Sequence, residues 1–205
     1  DVVLDSQIKG IAFVHQELAL EPFLTVAENV FIGRELKNSA GLVSQREMIE
    51  QSEQYLTMVG LDVSPNAMVN ALSMGQQQMI EIAKALSLRS KVIVLDEPTS
   101  SLSEKEVDDL FRIVRKLKSQ GMGIIYISHK MSEIFELTDN VMIMRDGTYI
   151  DTVATASTTE DDLVHMMVGR DIENYYYRTY NTPGEEALRV ERYSCEPWRQ
   201  PVTLE

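Results

Sequence analysis

The run Val92-Ile93-Val94-Leu95-Asp96-Glu97 is the stretch of this sequence best equipped for chemistry. An apolar strand that ends on two carboxylates delivers them to the carboxyl edge of a parallel sheet, where ligands bind. In enzymes that cleave phosphoanhydride bonds the first carboxylate holds Mg²⁺. That ion keeps several waters and takes few carboxylates. The second carboxylate can position or deprotonate a water. The plainer alternative is a strand that ends in a solvated acidic turn.

Three further groups carry weaker signals. Leu72-Ser73-Met74-Gly75-Gln76 stands directly before a helical pattern. A helix start offers free N–H groups and the positive end of the dipole, so it can hold an anion. Ser73 can donate to a phosphate oxygen or simply cap the helix, and Gly75 lets the backbone come close. His129 follows Ser128 at the end of another strand-like run, and Gln16 follows a third. A lone His is more often structural than catalytic, and a lone Gln after a strand is ordinarily uninformative.

The elements that must position these residues are legible in the periodicity. Ile11 to His15 reads as a short buried strand. Residues 17 to 43 are mixed, with turn signals at Pro22, Gly33 and Gly41. Ser44 and Glu47 form a capping-box pattern, and the helix it opens runs to Gly60. A second helix starts near Gly75, with Met79, Ile82, Ala83 and Leu86 on one face. Lys91 to Asp96 lacks alternation and is expected to be buried on both faces. Ser103 and Glu106 cap a helix whose stripe is Val107, Leu110, Phe111, Val114 and Leu117, and Gly121 fits its end. Gly123 to Ser128 is the next expected buried strand. Val141 to Arg145, Asp146-Gly147 and Thr148 to Val153 read as a β-hairpin, followed by a helix over residues 159 to 168. Strand, helix, strand in this order predicts an α/β domain with a mostly parallel sheet. The helix-rich region from about residue 44 to 90 interrupts it as a subdomain.

Composition sets the outer limits. The 205 residues are 44% apolar and 25% charged, ordinary for a globular chain. A net charge of −13 gives no electrostatic reason to bind nucleic acid. A single cysteine, Cys195, excludes an intrachain disulfide. No stretch approaches the roughly 18 consecutive apolar residues of a membrane span. His15, His165, the 11 Met and the turn Glu104-Lys105-Glu106 take plain readings as packing or solvated residues.

Taken together in order and spacing, Gln16, Ser73 to Gln76, Asp96 to Ser100 and His129 closely resemble the ATP-binding-cassette family over roughly residues 8 to 170. In that resemblance Val14-His15-Gln16 is the Q-loop, Leu72 to Gln76 the signature motif, and Val92 to Glu97 the Walker B strand. Ser100 to Ser103 is the D-loop and His129 the switch histidine. Two positions depart from the family pattern: Met74 stands where Gly is usual, and Ser103 where Asp is commonest. Val14 to Leu18, Gly75 to Met79, Asp96 to Leu102, Tyr126 to Lys130 and Met166 to Arg170 are similar to the monosaccharide-import branch (galactose, ribose or xylose type), whose members carry two cassettes in one polypeptide.

The resemblance implies a P-loop NTPase fold, RecA-like, with an inserted helical subdomain. It further implies ATP and Mg²⁺ as ligands, with Asp96 and Gln16 toward the metal, Glu97 as general base and His129 as γ-phosphate sensor. Ser73, Gly75 and Gln76 would meet the γ-phosphate held by an opposite cassette. No Gly-Lys pair occurs, so the phosphate-binding G-x-x-x-x-G-K-[ST] loop is expected upstream of Asp1 in a longer chain. Residues 1 to 170 are then a first cassette lacking its N-terminal part, 171 to 184 a linker, and 185 to 205 the start of a second cassette. Residues 1 to 205 alone are expected to be inactive. The implied partners are membrane permease subunits, a second cassette and, indirectly, a periplasmic sugar-binding protein, at the cytoplasmic face of a bacterial inner membrane. The alternatives are a non-transport cassette ATPase and a degenerate nucleotide-binding scaffold.

Overall fold

Parallel pairing of three short strands organises the first part of the molecule. The computed structural model describes residues 10–168, 190–193 and 202–204. Strands β1 (Ile11–Val14), β2 (Val92–Asp96) and β3 (Gly123–Ile127) form one sheet in that order. Both pairings are parallel, and their registers align Val14 with Leu95 and Leu95 with Tyr126. The middle strand is buried at Ile93, Val94 and Leu95, which explains its unbroken apolar run.

Between β1 and β2 the chain builds helices α1 (Val26–Phe31), α2 (Gln45–Met58) and α3 (Met74–Ser87), which pack on one another. This helical insertion begins earlier than residue 44. The mixed reading of residues 17 to 43 is corrected by α1, which starts on a T-x-x-E capping box at Thr25 and Glu28. Glu28 N–H donates to Thr25 Oγ1 at 3.2 Å, and Thr25 N–H donates to the Glu28 carboxylate at 2.8 Å. The Thr25 N–H, then its hydroxyl, hold the Glu28 carboxyl below its usual pKa. Helix α4 (Glu104–Ser119) follows β2 and buries Leu110, Phe111, Ile113, Val114 and Leu117. One core unites β1, β2 and helices α1 to α4.

After β3 come α5 (Met131–Leu137), the antiparallel pair β4 (Asn140–Arg145) and β5 (Thr148–Ala154), and α6 (Glu160–Val168). The hairpin turns on Asp146 (φ +50°) and Gly147 (φ +74°), the two positive angles a type I′ turn requires. A smaller cluster of Ile134, Ile143 and Leu163 fastens this region. Helix α5 lay outside the periodic pattern read from the sequence, because seven residues give less than two full turns of it.

Strand β3 is not buried as expected. Gly123, Ile125 and Ile127 are exposed, and β1 also shows Phe13, which stacks on His15. Among the described residues no strand pairs with the outer edge of β3. A cavity of about 720 Å³ lies between β3 and β4, lined by Ile125, Ile127, Met142 and Met144 among others. Methionines 74, 142, 144 and 167 are exposed rather than core filler.

A second compact unit lies beyond Gly169 and contains β6 (Val190–Tyr193) and β7 (Val202–Leu204), paired antiparallel. The expected linker over residues 171 to 184 falls outside the described residues. Among the described residues no helix is long and apolar enough to cross a membrane.

Candidate active site at the carboxyl edge of the sheet

The aligned registers bring three strand ends to one edge. Gln16 lies two residues past β1, Asp96 closes β2 with Glu97 next, and His129 lies two residues past β3. Glu97 N–H donates to the Ile127 carbonyl at 2.9 Å, so the β2–β3 ladder carries one residue beyond the strand. Glu97 then turns at φ +43°, a left-handed angle that is uncommon for a non-glycine residue and concentrates at functional sites.

That turn sets the Glu97 carboxylate between the other two residues. Gln16 Nε2 donates to Glu97 Oε2 at 3.2 Å, and His129 Nδ1 lies 3.0 Å from Glu97 Oε1. The His129 side chain is 66% exposed and that of Glu97 29%. A contact this open contributes little stability, about 0–1 kcal/mol. Its significance is placement: an amide, a carboxylate and an imidazole face the same solvent-accessible edge, with the half-buried Asp96 beside them.

Ser73, Gly75 and Gln76 are not part of that cluster. They open α3, and among the described residues no hydrogen bond links them to Gln16, Glu97 or His129. Ser73 is the N-cap: Gln76 N–H donates to its Oγ at 3.3 Å, and Ser73 N–H donates to Gln76 Oε1 at 3.0 Å. The plain capping role of Ser73 is therefore real. Glu106, read from sequence as solvated, instead leans over this helix start. Ser73 Oγ donates to Glu106 Oε1 at 3.4 Å, and a Cβ added at Gly75 would fall inside the Glu106 carboxyl group. Only glycine fits there with Glu106 in place. The Ser103 N–H, then its hydroxyl, hold the Glu106 carboxyl below its usual pKa.

Several positioning residues escaped sequence reading. Asn29 is fully buried; its Nδ2 donates to the carbonyls of Glu21 and Thr25 at 3.0 Å, and its Oδ1 accepts from Glu21 N–H at 2.7 Å. It fixes the loop that leaves Gln16. Lys84 on α3 donates to the Ala19 carbonyl at 2.8 Å and ties the same loop to the helix that Ser73 opens. The T-x-x-E signal at Thr25 would have located α1, but no local pattern marks the partners of Asn29 or Lys84.

Comparison with known proteins accords with this geometry. The sequence matches the ABC transporter family over residues 3–100. It is 48% identical over 187 residues to a Rhizobium etli protein named as a ribose/galactose/methyl galactoside import ATP-binding protein, covering 91% of this chain and 36% of that one. A Burkholderia lata protein of the same designation is 43% identical over 202 residues, covering 98% and 38%. The chain belongs to the ABC transporter family. Its cassette fold superposes on the dimeric post-hydrolysis state of the ATP-binding cassette MJ0796 bound to ADP and Pi, with a TM-score of 0.62 and 27% identity over 76% of this chain and 68% of the other. The chain spans little more than a third of the length of its Rhizobium relative.

Among the described residues of the cassette there is no cluster of three or more His, Cys, Asp or Glu that could hold a metal by itself. Asp96 alone at the strand end suits Mg²⁺, which takes one or two carboxylates and completes its shell with water and phosphate oxygens. With its Nε2 turned to Glu97, Gln16 retains the amide oxygen as a second hard donor.

Proposed function

We propose that this chain belongs to the ATP-hydrolysing subunit of a bacterial monosaccharide importer. The observation that carries this reading is the convergence of Gln16 and His129 on Glu97 beside Asp96 at the sheet edge. The import designation of relatives at 43% and 48% identity supports the sugar class.

In this reading Glu97 takes a proton from the attacking water as general base. His129 holds Glu97 from one side and meets the γ-phosphate from the other. Gln16, on a loop fixed by Asn29 and Lys84, relays site occupancy to the membrane subunits. Asp96, with the Gln16 amide oxygen, holds Mg²⁺, which neutralises phosphate charge when bound. Residues 1 to 205 contain no Gly-Lys pair; in this reading the edge of β3, which no strand pairs among the described residues, offers room beside its apolar cavity for the strand of a phosphate-gripping loop. Ser73, Gly75 and Gln76 serve the nucleotide of a second cassette, consistent with their separation from Glu97. Permease subunits and a periplasmic sugar-binding protein complete the assembly at the inner membrane.

The test is Glu97→Gln in the complete protein reconstituted with its permease. Nucleotide binding should persist while phosphate release and sugar uptake fall by about 10²–10⁴-fold. Turnover near the wild-type rate would remove Glu97 from this role. ATPase activity without any response to permease or sugar would favour a non-transport cassette.

A further inference from the structure

Beneath the exposed edge lies a buried carboxylate that no motif assigns. Glu133 on α5 is only 4% exposed. It accepts from Thr99 Oγ1 at 2.6 Å, Ser128 Oγ at 2.8 Å and Tyr126 OH at 2.9 Å, and pairs with Lys130 Nζ at 3.2 Å. Burial would push this carboxyl up, but the hydrogen bonds from Thr99, Ser128, Tyr126 and Lys130 outweigh it and hold the pKa below the usual value.

The donors have a common geometry. Thr99 follows Glu97 by two residues, and Ser128 and Lys130 are the two neighbours of His129. The loop after β2 and the loop after β3 are thus gripped from below by one side chain. Cross-bonds close the set: Lys130 N–H donates to Ser128 Oγ at 3.0 Å, and Lys130 Nζ donates to Thr99 Oγ1 at 3.1 Å. By contrast, the Glu97–His129 contact above joins two side chains open to solvent, which cannot fix their own separation. Charge-assisted hydrogen bonds are roughly twice as strong as neutral ones, and a buried, fully satisfied network is rigid.

We infer that Glu133 is a positioning residue for nucleotide hydrolysis: by clamping the loops that carry Glu97 and His129, it sets the distance between those two groups without touching the nucleotide. The inference rests on the reading that Glu97 and His129 act on ATP. A displacement of about 1 Å in such a pair can cost on the order of 10²-fold in rate. Glu133→Gln keeps the shape but removes the charge, and turns an amide NH₂ toward hydroxyl and ammonium donors.

The experiment compares Glu133→Gln, Tyr126→Phe, Ser128→Ala and Glu97→Gln in the complete protein. It reads ATPase kcat and KM, Mg-ATP affinity, melting temperature and the ¹⁵N resonances of the His129 imidazole. For Glu133→Gln we expect kcat to fall about 10- to 100-fold with nucleotide affinity retained, and the His129 Nδ1 resonance to move from its hydrogen-bonded position. Tyr126→Phe and Ser128→Ala, each removing one donor, should shift both readouts less and in the same direction. Should Glu133→Gln fail to fold, these two variants carry the test. Unchanged kcat per folded molecule with an unchanged His129 resonance overturns the clamp and leaves Glu133 a stability residue only. Normal turnover in Glu97→Gln refutes the underlying reading instead, and the His129 resonance still decides whether Glu133 holds the pair.

Discussion

The side-chain amide of Gln16 donates to the carboxylate of Glu97 across 3.2 Å, joining positions 81 residues apart in the chain. The other oxygen of that carboxylate is held by His129. Gln16 and His129 therefore share one partner, and in the proposed hydrolysis their effects should not add. We expect Gln16→Ala and His129→Ala each to lower turnover in the complete protein, with the double variant losing much less than the product of the two. Steady-state ATPase on the four proteins of the cycle checks this. Melting temperatures should barely move, since exposed substitutions of this kind usually change stability by less than about 0.5 kcal/mol.

Glu97 occupies a left-handed angle, φ +43°, that glycine adopts without strain. A non-glycine residue there costs roughly 1–2 kcal/mol. Substituting glycine relieves that cost and adds about 0.4–1 kcal/mol of unfolded-chain entropy. Glu97→Gly should therefore leave stability unchanged or raise it by up to about 1.6 kcal/mol while abolishing hydrolysis. Urea melts beside an ATPase assay would test it, and a marked loss of stability would argue against strain at this position.

Gly75 and Glu106 share one space. Gly75→Ala must push the Glu106 carboxyl aside and so break its bonds to Ser103 and Ser73, at 2.8 and 3.4 Å. Losing such a cap costs about 0.5–2 kcal/mol. In a Glu106→Ala background the new methyl meets no carboxyl, so the penalty of Gly75→Ala should largely vanish. Chemical denaturation of both singles and the double gives the coupling, and strict additivity would show that the two do not compete.

Glu133 also gives the acid limb of stability a defined sign. Its folded pKa is held below the ordinary 4.5, so the unfolded state binds the proton more readily. The stabilisation is therefore fully present above about pH 5 and is lost as pH falls through the folded pKa. Glu133→Gln should be less stable than the parent at neutral pH and should flatten the decline below pH 4.5. Urea midpoints measured across about pH 3–7 would check this, and an identical acid limb in both proteins would contradict it.

Local chemistry was enough for the sequence to determine the elements and their order. The unbroken run Val92 to Leu95 dictates a central strand, because only burial on both faces removes the need for alternation. Asp146-Gly147 dictates the hairpin, because those residues tolerate the positive angles. The spacing of Gln16, Ser73, Asp96, Glu97 and His129 carried the family. Tertiary structure decided the rest. That Gln16 and His129 meet on Glu97 depends on strand register, which pairs Ile11 with Val92 and Val92 with Gly123, partners too far apart in the chain for any local window to contain. Exposure of Ile125 and Ile127 depends on which strand and helix cover them, so an apolar run in β3 misled. Glu133 reads as one acidic residue in a short helix; only packing α5 beneath two loops gives it four partners. A buried charge survives only where such partners converge, and convergence is a property of three dimensions.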